Sequence, residues 1–445
     1  MPTRREALYS VRIVPLSFLV AIIVGTVLLA LPDAATGPGS APLLTAFFTA
    51  TSAVCVTGLT TVDTQTYWSG FGQAVIMGLF QIGGLGVMTL AALLSLVVYR
   101  RLGLGTRLAA ESETRTVDLS ELRGLFIRLA GIVLAVEGIA SAILAARFWI
   151  SYGLSPGSAI WQGVFHGISA FNNAGFSNQH NNLLRHVDDP WINFTVAAAV
   201  ILGGIGFPVL LELRRGLRKP RRWSIHTRIT VFGTLLLLPL GTVAVLALEW
   251  SNPRTLGPLG TATKVMASFF QSVTARTAGL NTLDIGQLET STLAVLDGLM
   301  FVGGGSGGTA GGIKITTFFL LGYVIWAELR GEPDVRVHDR RMEIGVQRQA
   351  LAIALIGIGC VALGTLALLI MTPHTLDRVL FEVISAFATV GLSTGITPGL
   401  GSDAQLVLIV LMFVGRVGPM TVGAALALRS RHRLYRLPKD RPIVG

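Results

Sequence analysis

Four glycines, Gly58, Gly175, Gly279 and Gly391, recur about 110 residues apart along a chain of 445 residues. Each is followed by a bulky apolar residue: Leu59, Phe176, Leu280 and Leu392. Ser52, Ser169 and Ser385 stand six positions before the glycine in three of the four strings. A second glycine cluster follows each at a similar interval: Gly83-Gly84, Gly203-Gly204, Gly303-Gly304-Gly305 and Gly415. Glycine tolerates φ > 0 and presents no side chain, so it suits a backbone that must turn its carbonyl oxygens toward a narrow path. Rings of carbonyl oxygens can replace the hydration shell of a monovalent cation. The candidate walls of such a filter are Cys55-Val56-Thr57-Gly58, Asn173-Ala174-Gly175, Thr277-Ala278-Gly279 and Thr389-Val390-Gly391. The ion would meet the main-chain oxygens of Val56, Thr57, Asn173, Ala174, Thr277, Ala278, Thr389 and Val390. One glycine alone would read as a close helix contact in a membrane. Four at equivalent positions read as a filter.

The elements that must carry these loops are apolar. Hydrophobic residues make up 51% of the chain and charged residues 13%, against about 25% charged in ordinary soluble domains. Apolar runs at 13–31, 74–98, 127–150, 194–211, 229–248, 350–371 and 404–428 are each long enough to cross a bilayer as a helix. Short amphipathic stretches such as residues 43–54 lie between them, too short to span. They read as re-entrant helices that enter partway and return as extended loop. Non-helical backbone at membrane depth survives only where protein or a water-filled path covers it. The expected fold is therefore an all-α integral membrane protein. It has four tandem repeats of helix, pore helix, filter loop and helix, arranged pseudo-fourfold around a central ion pore. The repeats are expected at 1–100, 101–215, 216–330 and 331–445. The short helices would aim their negative C-terminal ends at the cation.

The net charge of +11 does not indicate nucleic acid, because basic residues gather in alternate connections. They occur at Arg4, Arg5 and Arg12, at 100–128, 214–228 and 330–348, and in the tail from Arg429. This asymmetry places both termini and these loops on the cytoplasmic side of the cell membrane, facing anionic lipid headgroups or a cytosolic partner. The first apolar run is longer than a signal-peptide core and is expected to stay as a helix. Cys55 and Cys360 have neither metal-ligand spacing nor a disulfide framework.

The third repeat departs from the others. Gly303, Gly304, Gly305, Ser306, Gly307, Gly308, Thr309, Ala310, Gly311 and Gly312 cannot propagate a helix, since each glycine costs about 1 kcal/mol relative to alanine. The spacing of a nucleotide phosphate loop is not met. A flexible plug beneath the filter, acting as a gate, is the expected role. Lys314 follows it, and Arg416 lies within the last apolar run; ionisable residues at such depth are functional candidates. A positive charge at Arg416 would raise the barrier to a cation. Arg276 abuts the third filter strand and is expected to brace carbonyls from behind, with Glu382 or Glu137 as counter-charge. His166 reads as a packing histidine.

The strings TSAVCVTGL, SAFNNAGFS, TARTAGLN and SAFATVGLS resemble the Trk/Ktr/HKT superfamily of potassium transporters. The string GQAVIMGLFQIGGLG and the short termini are most similar to Ktr membrane subunits of the KtrB type. The resemblance implies K⁺ as the transported ion, the four glycines as filter residues, and residues 303–312 with the nearby arginine as an intramembrane gate. Serine replaces the first glycine in some sodium-preferring plant relatives, so Gly58 implies K⁺ preference. The resemblance further implies a homodimer with one pore per protomer on a KtrA-like cytosolic ring of nucleotide-binding regulatory subunits. It leaves Na⁺ dependence open. Neither an organic cofactor nor a catalytic residue is expected: no carboxylate cluster, metal set or activated nucleophile stands out, so a membrane enzyme is disfavoured. A chloride-type carrier, which aims helix N-termini at an anion, is the competing transporter class.

Overall fold

The computed structural model describes residues 4–102, 119–337 and 340–428. Of the basic connections, Arg107, Arg115 and the tail from Arg429 lie outside the described residues. In chain order the helices are α1 (Arg4–Leu29), α2 (Leu43–Val54), α3 (Thr64–Tyr67), α4 (Gly70–Leu102), α5 (Leu119–Tyr152), α6 (Pro156–Asn172), α7 (Pro190–Ile205) and α8 (Phe207–Gly216). They continue as α9 (Ile225–Glu249), α10 (Thr261–Thr274), α11 (Thr290–Phe301), α12 (Ile315–Leu329), α13 (Ile344–Met371), α14 (Leu376–Phe387) and α15 (Ser402–Leu428). A small antiparallel hairpin pairs β1 (Arg336–Val337) with β2 (Arg340–Arg341).

Among the described residues, α9, α13, the segment Ile127–Tyr152 of α5 and the segment Ser402–Pro419 of α15 are long and apolar enough to cross a bilayer. α1 and α4 carry shorter apolar stretches at Pro15–Leu29 and Gly70–Gly86. The outward faces of the long helices are oily: Leu235 in α9 and Leu363 and Ile370 in α13 are each at least two-thirds exposed. Such a belt is costly in water and ordinary in lipid. The molecule is a multi-pass membrane protein.

The expected continuous span 194–211 is not continuous. α7 and α8 meet at 101°, because Gly206 adopts φ 101° and Pro208 follows in the first turn of α8. Glycine alone accepts that backbone easily, and proline supplies no N–H to continue the ladder. The Phe207 N–H instead donates to the Gly307 carbonyl at 3.2 Å.

The packing order closes on itself. α4 contacts α6, α7 contacts α10, α11 contacts α14, and α15 contacts α2. Each second helix therefore supports the short helix of the following segment, and the end of the chain supports its beginning. At the start of α7, Asp189 caps the helix by accepting from the N–H groups of Trp191 and Ile192, and also accepts from Arg147 Nε at 2.8 Å and Tyr152 Oη at 2.9 Å. Burial pushes its carboxyl up, but these hydrogen bonds outweigh burial and hold it below the usual range.

Candidate ion-conduction site

The short helices end where their sequences change from apolar to small. α2 stops at Val54 and α14 at Phe387, and the residues two before each glycine turn into the left-handed region: Val56 (φ 58°), Asn173 (57°), Thr277 (74°) and Thr389 (50°). Asparagine tolerates this region, but β-branched valine and threonine do not, at about 1–3 kcal/mol each. Gly58, Gly175, Gly279 and Gly391 also have positive φ, from 67° to 94°. Strain repeated at four matched positions identifies the loops as over-determined by their surroundings.

Hydrogen bonds supply part of that determination. The residue before the glycine donates its N–H to the carbonyl of the serine six before the glycine: Thr57 to Ser52, Ala174 to Ser169 and Val390 to Ser385, each at 2.8 Å. The Ser52 and Ser385 hydroxyls accept from the N–H of Gly58 and Gly391 at 3.1 Å, while Ser169 Oγ donates to the Phe176 carbonyl at 2.7 Å. The third loop has Val273 in the serine position, and Ala278 donates to the Thr274 carbonyl at 2.9 Å instead.

The four loops meet. A methyl group placed on Gly58 would lie 2.6 Å from the Ala174 oxygen, and one on Gly175 would lie 3.0 Å from Gly58 Cα and 3.2 Å from the Ala278 oxygen. One on Gly279 would lie 2.4 Å from the Val390 oxygen, and one on Gly391 2.1 Å from the Thr57 oxygen. The loops thus touch in chain order, the last against the first. The residues of all eight candidate carbonyls are buried. Among the described residues, no hydrogen-bond donor reaches the oxygens of Val56, Thr57, Asn173, Ala174, Thr277, Ala278, Thr389 or Val390. Buried carbonyls in proteins are almost always satisfied, so these eight are available to a cation. Cys55 lies at the base of the first loop as a free, buried thiol.

The second glycine clusters have a separate cause. Methyl groups on Gly83, Gly203 and Gly415 would collide, at 2.1, 1.8 and 1.7 Å, with the carbonyls of Val54, Phe171 and Phe387. Each of those carbonyls lies four residues before its loop glycine, so the following helix rests directly on the end of the short one. In the third segment the corresponding Gly303 meets the Gly311 oxygen instead.

The glycine-rich stretch 303–312 is folded back across this space. Gly303 N–H donates to Ile313 O at 2.9 Å, Gly305 N–H to Gly204 O at 2.8 Å and Thr309 N–H to Gly203 O at 3.2 Å. Ser306 Oγ lies 3.0 Å from Thr316 Oγ1, and Gly304 and Gly308 sit against the Gly204 carbonyl. Gly311 and Gly312 pack on Ala388, at the start of the fourth loop. Two cations hold adjacent carbonyls: the buried Arg416 donates to Thr309 O, and the half-buried Lys314 donates from Nζ to Ala310 O. Arg416 has two further N–H positions without a partner among the described residues.

Arg276 is buried and donates to the Gly303 carbonyl at 3.3 Å. The expected counter-charges are elsewhere. Glu382 accepts from Ser393, Thr394 and Thr397, and Glu137 accepts from Gln81 Nε2 at 3.1 Å and Asn172 Nδ2 at 2.9 Å. Polar hydrogen bonds satisfy both carboxylates, which removes the need for the guanidinium. His166 is a bonded packing residue, with its ring nitrogens 2.8 Å from Gln162 O and 2.9 Å from Ser177 Oγ. Sequence reasoning missed the α7–α8 break that receives the glycine-rich stretch; Gly206-Phe207-Pro208 was the available signal.

The family model described as TrkH, cation transport protein, matches residues 16–432. The chain belongs to the TrkH family. Among its relatives in that family, the Ktr system potassium uptake protein B of Bacillus subtilis is 42% identical, covering 92% of this chain and 91% of the relative. The protein of the same name from Vibrio alginolyticus is 38% identical over 98% of this chain and 94% of its own. The potassium/sodium uptake protein NtpJ of Enterococcus hirae is 34% identical over 99% and 98%. The crystal structure of the potassium transporter TrkH from Vibrio parahaemolyticus shares the fold with a TM-score of 0.70 at 20% identity, covering 95% of this chain and 84% of that one.

Proposed function

We propose that this chain is the ion-conducting subunit of a Ktr-type potassium uptake system in the cell membrane. The observation that carries the reading is the set of eight buried carbonyls, without donors among the described residues, on four mutually touching glycine loops. In this reading the loops are a K⁺ filter at the centre of four pseudo-equivalent units, 1–100, 101–215, 216–330 and 331–445. Residues 303–312 form the gate beneath it, with Lys314 and Arg416 holding it closed. The names of the relatives with 42% and 38% identity support K⁺ as cargo and a multi-component system. Both termini are cytoplasmic, two copies associate, each with its own pore, and a ring of nucleotide-binding regulatory subunits docks on the basic loops. Reconstitution of the full chain in liposomes tests the reading: uptake of K⁺ over Na⁺ is expected, with no Cl⁻ conductance. Chloride flux, or no K⁺ flux from correctly inserted protein, would overturn it. Repeating K⁺ uptake with and without Na⁺ measures any sodium dependence, which the name of the Enterococcus relative makes worth measuring.

A further inference from the structure

Glu382 lies in α14, nine residues before Gly391, and its side chain is fully buried. Among the described residues it forms no ion pair. Its carboxylate instead collects the segment that leaves the fourth loop. Oε1 accepts from Ser393 Oγ at 2.6 Å, from the Thr394 N–H at 2.8 Å and from Thr394 Oγ1 at 3.1 Å, while Oε2 accepts from Thr397 Oγ1 at 2.7 Å. The Thr394 N–H can only donate, which fixes Oε1 as its acceptor, and Ser393 Oγ itself accepts from the Gly395 N–H at 2.9 Å. An ionised carboxylate has the acceptor capacity for all four contacts at once. The same segment is wedged from outside: a methyl on Gly286, in the third segment of the chain, would lie 2.8 Å from the Thr394 oxygen.

The arrangement has a counterpart. His166 also stands nine residues before its loop glycine, and its Nε2 bonds Ser177, two residues after Gly175, as Glu382 bonds Ser393, two residues after Gly391. The equivalent positions in the other two segments hold Thr49 and Phe270. A side chain that latches the loop exit to its own short helix therefore occurs twice, and only the fourth segment builds the latch from a carboxylate.

We propose that Glu382 is a positioning and specificity-determining residue, a buried anionic latch that fixes the exit of the fourth loop and contributes negative potential on the outer side of the ion path. This rests on the filter reading above. With the cations Arg416 and Lys314 tied to the glycine-rich stretch, Glu382 gives the path opposite charge bias at its two ends, favouring cation entry. A charge held in a water-poor surrounding acts over a longer range than one at the surface.

The test uses the full chain in liposomes, comparing wild type, Glu382→Gln and Ser393→Ala. Glu382→Gln keeps size and some hydrogen bonding but removes the charge. It is expected to raise the KM for K⁺ and lower K⁺ over Na⁺ discrimination by about tenfold, with maximal flux per inserted protein largely kept. Ser393→Ala, which spares the carboxylate, is expected to move both quantities in the same direction by about threefold. A merely structural role would lower maximal flux alone. Unchanged KM and discrimination in both variants would overturn the proposal, as would a loss of flux alone in both. If Glu382→Gln does not insert, Ser393→Ala decides by the same two readings. Wild type separates the two levels: absent K⁺ selectivity there refutes the filter reading, whereas selective wild type with unshifted variants refutes only the latch.

Discussion

At Gly58 a side chain meets two penalties at once. The backbone sits at φ 92°, and a methyl group would lie 2.6 Å from the Ala174 oxygen and 2.7 Å from Gly175 Cα. The first costs about 1–2 kcal/mol for an L-residue; the second displaces main-chain atoms of the neighbouring loop. Gly58→Ser is therefore expected to alter the carbonyl positions of two loops at once and reduce K⁺ over Na⁺ discrimination by about tenfold, equivalent to about 1.4 kcal/mol. Competition uptake in liposomes reads this directly, and retained discrimination would count against the first loop as part of the filter. The glycine was legible in the sequence because its chemistry is local. The partner of Arg276 was not: a guanidinium can reach any acceptor within its length, and the choice of Gly303 over Glu382 or Glu137 depends on where separate helices end. The two carboxylates had already been claimed, Glu382 by donors in the segment after the fourth loop and Glu137 by amides on α4 and α6, through placements that sequence does not give.

The glycine-rich stretch is an element held by few contacts of known strength. Its own glycines offer no side-chain anchorage, so its position depends on the backbone bonds to Gly203, Gly204 and Phe207, on Ser306 against Thr316, and on Arg276, Arg416 and Lys314 reaching Gly303, Thr309 and Ala310. A hydrogen bond to a charged group contributes about 1.5–3 kcal/mol. Losing the one from Arg416 is expected to shift the closed-to-open balance about tenfold or more, since it also removes a cation from beneath the proposed filter. Arg416→Ala should raise K⁺ leak in liposomes, and deletion of most of residues 303–312 should raise it further. Leak equal to wild type in both would return the arginine and the stretch to scaffolding. The sequence disclosed this element through composition, since so many glycines cannot make a helix. Its docking site was hidden because a break at Gly206 in an otherwise apolar run, 194–211, looks like a continuous span to any reading by hydropathy. The short helix α2 was read to its ends, Leu43–Val54, because there the apolar pattern and the turn residues change together. The interval to the second glycine clusters was visible, but its cause, a helix resting on a carbonyl four residues before each loop glycine, is a tertiary contact.

For the whole molecule, the distribution of charge makes a testable statement about how the fold sits in its membrane. α8 ends in Arg214 and Arg215, followed by Arg218 and Lys219, and α9 then carries the chain back through an apolar span of 25 residues. Within the connection between α1 and α2, residues 36–40 are exposed and uncharged. Arginine or lysine at the centre of a spanning helix disfavours insertion by about 2.5–3.5 kcal/mol each, and basic loops are retained on the cytoplasmic side. Inverting the fold would require moving several such clusters across the bilayer together, whereas the loops that enter the short helices have little to retain. Single cysteines at exposed Ser40 and exposed Lys219 separate the two orientations, with native Cys55 fully buried and Cys360 part of the spanning helix α13. In intact cells a membrane-impermeant maleimide should label Ser40→Cys, and Lys219→Cys should react only after permeabilisation. The opposite pattern would place the glycine loops' entrance on the inside, and uptake through them would then have to run from the proposed gate toward the filter.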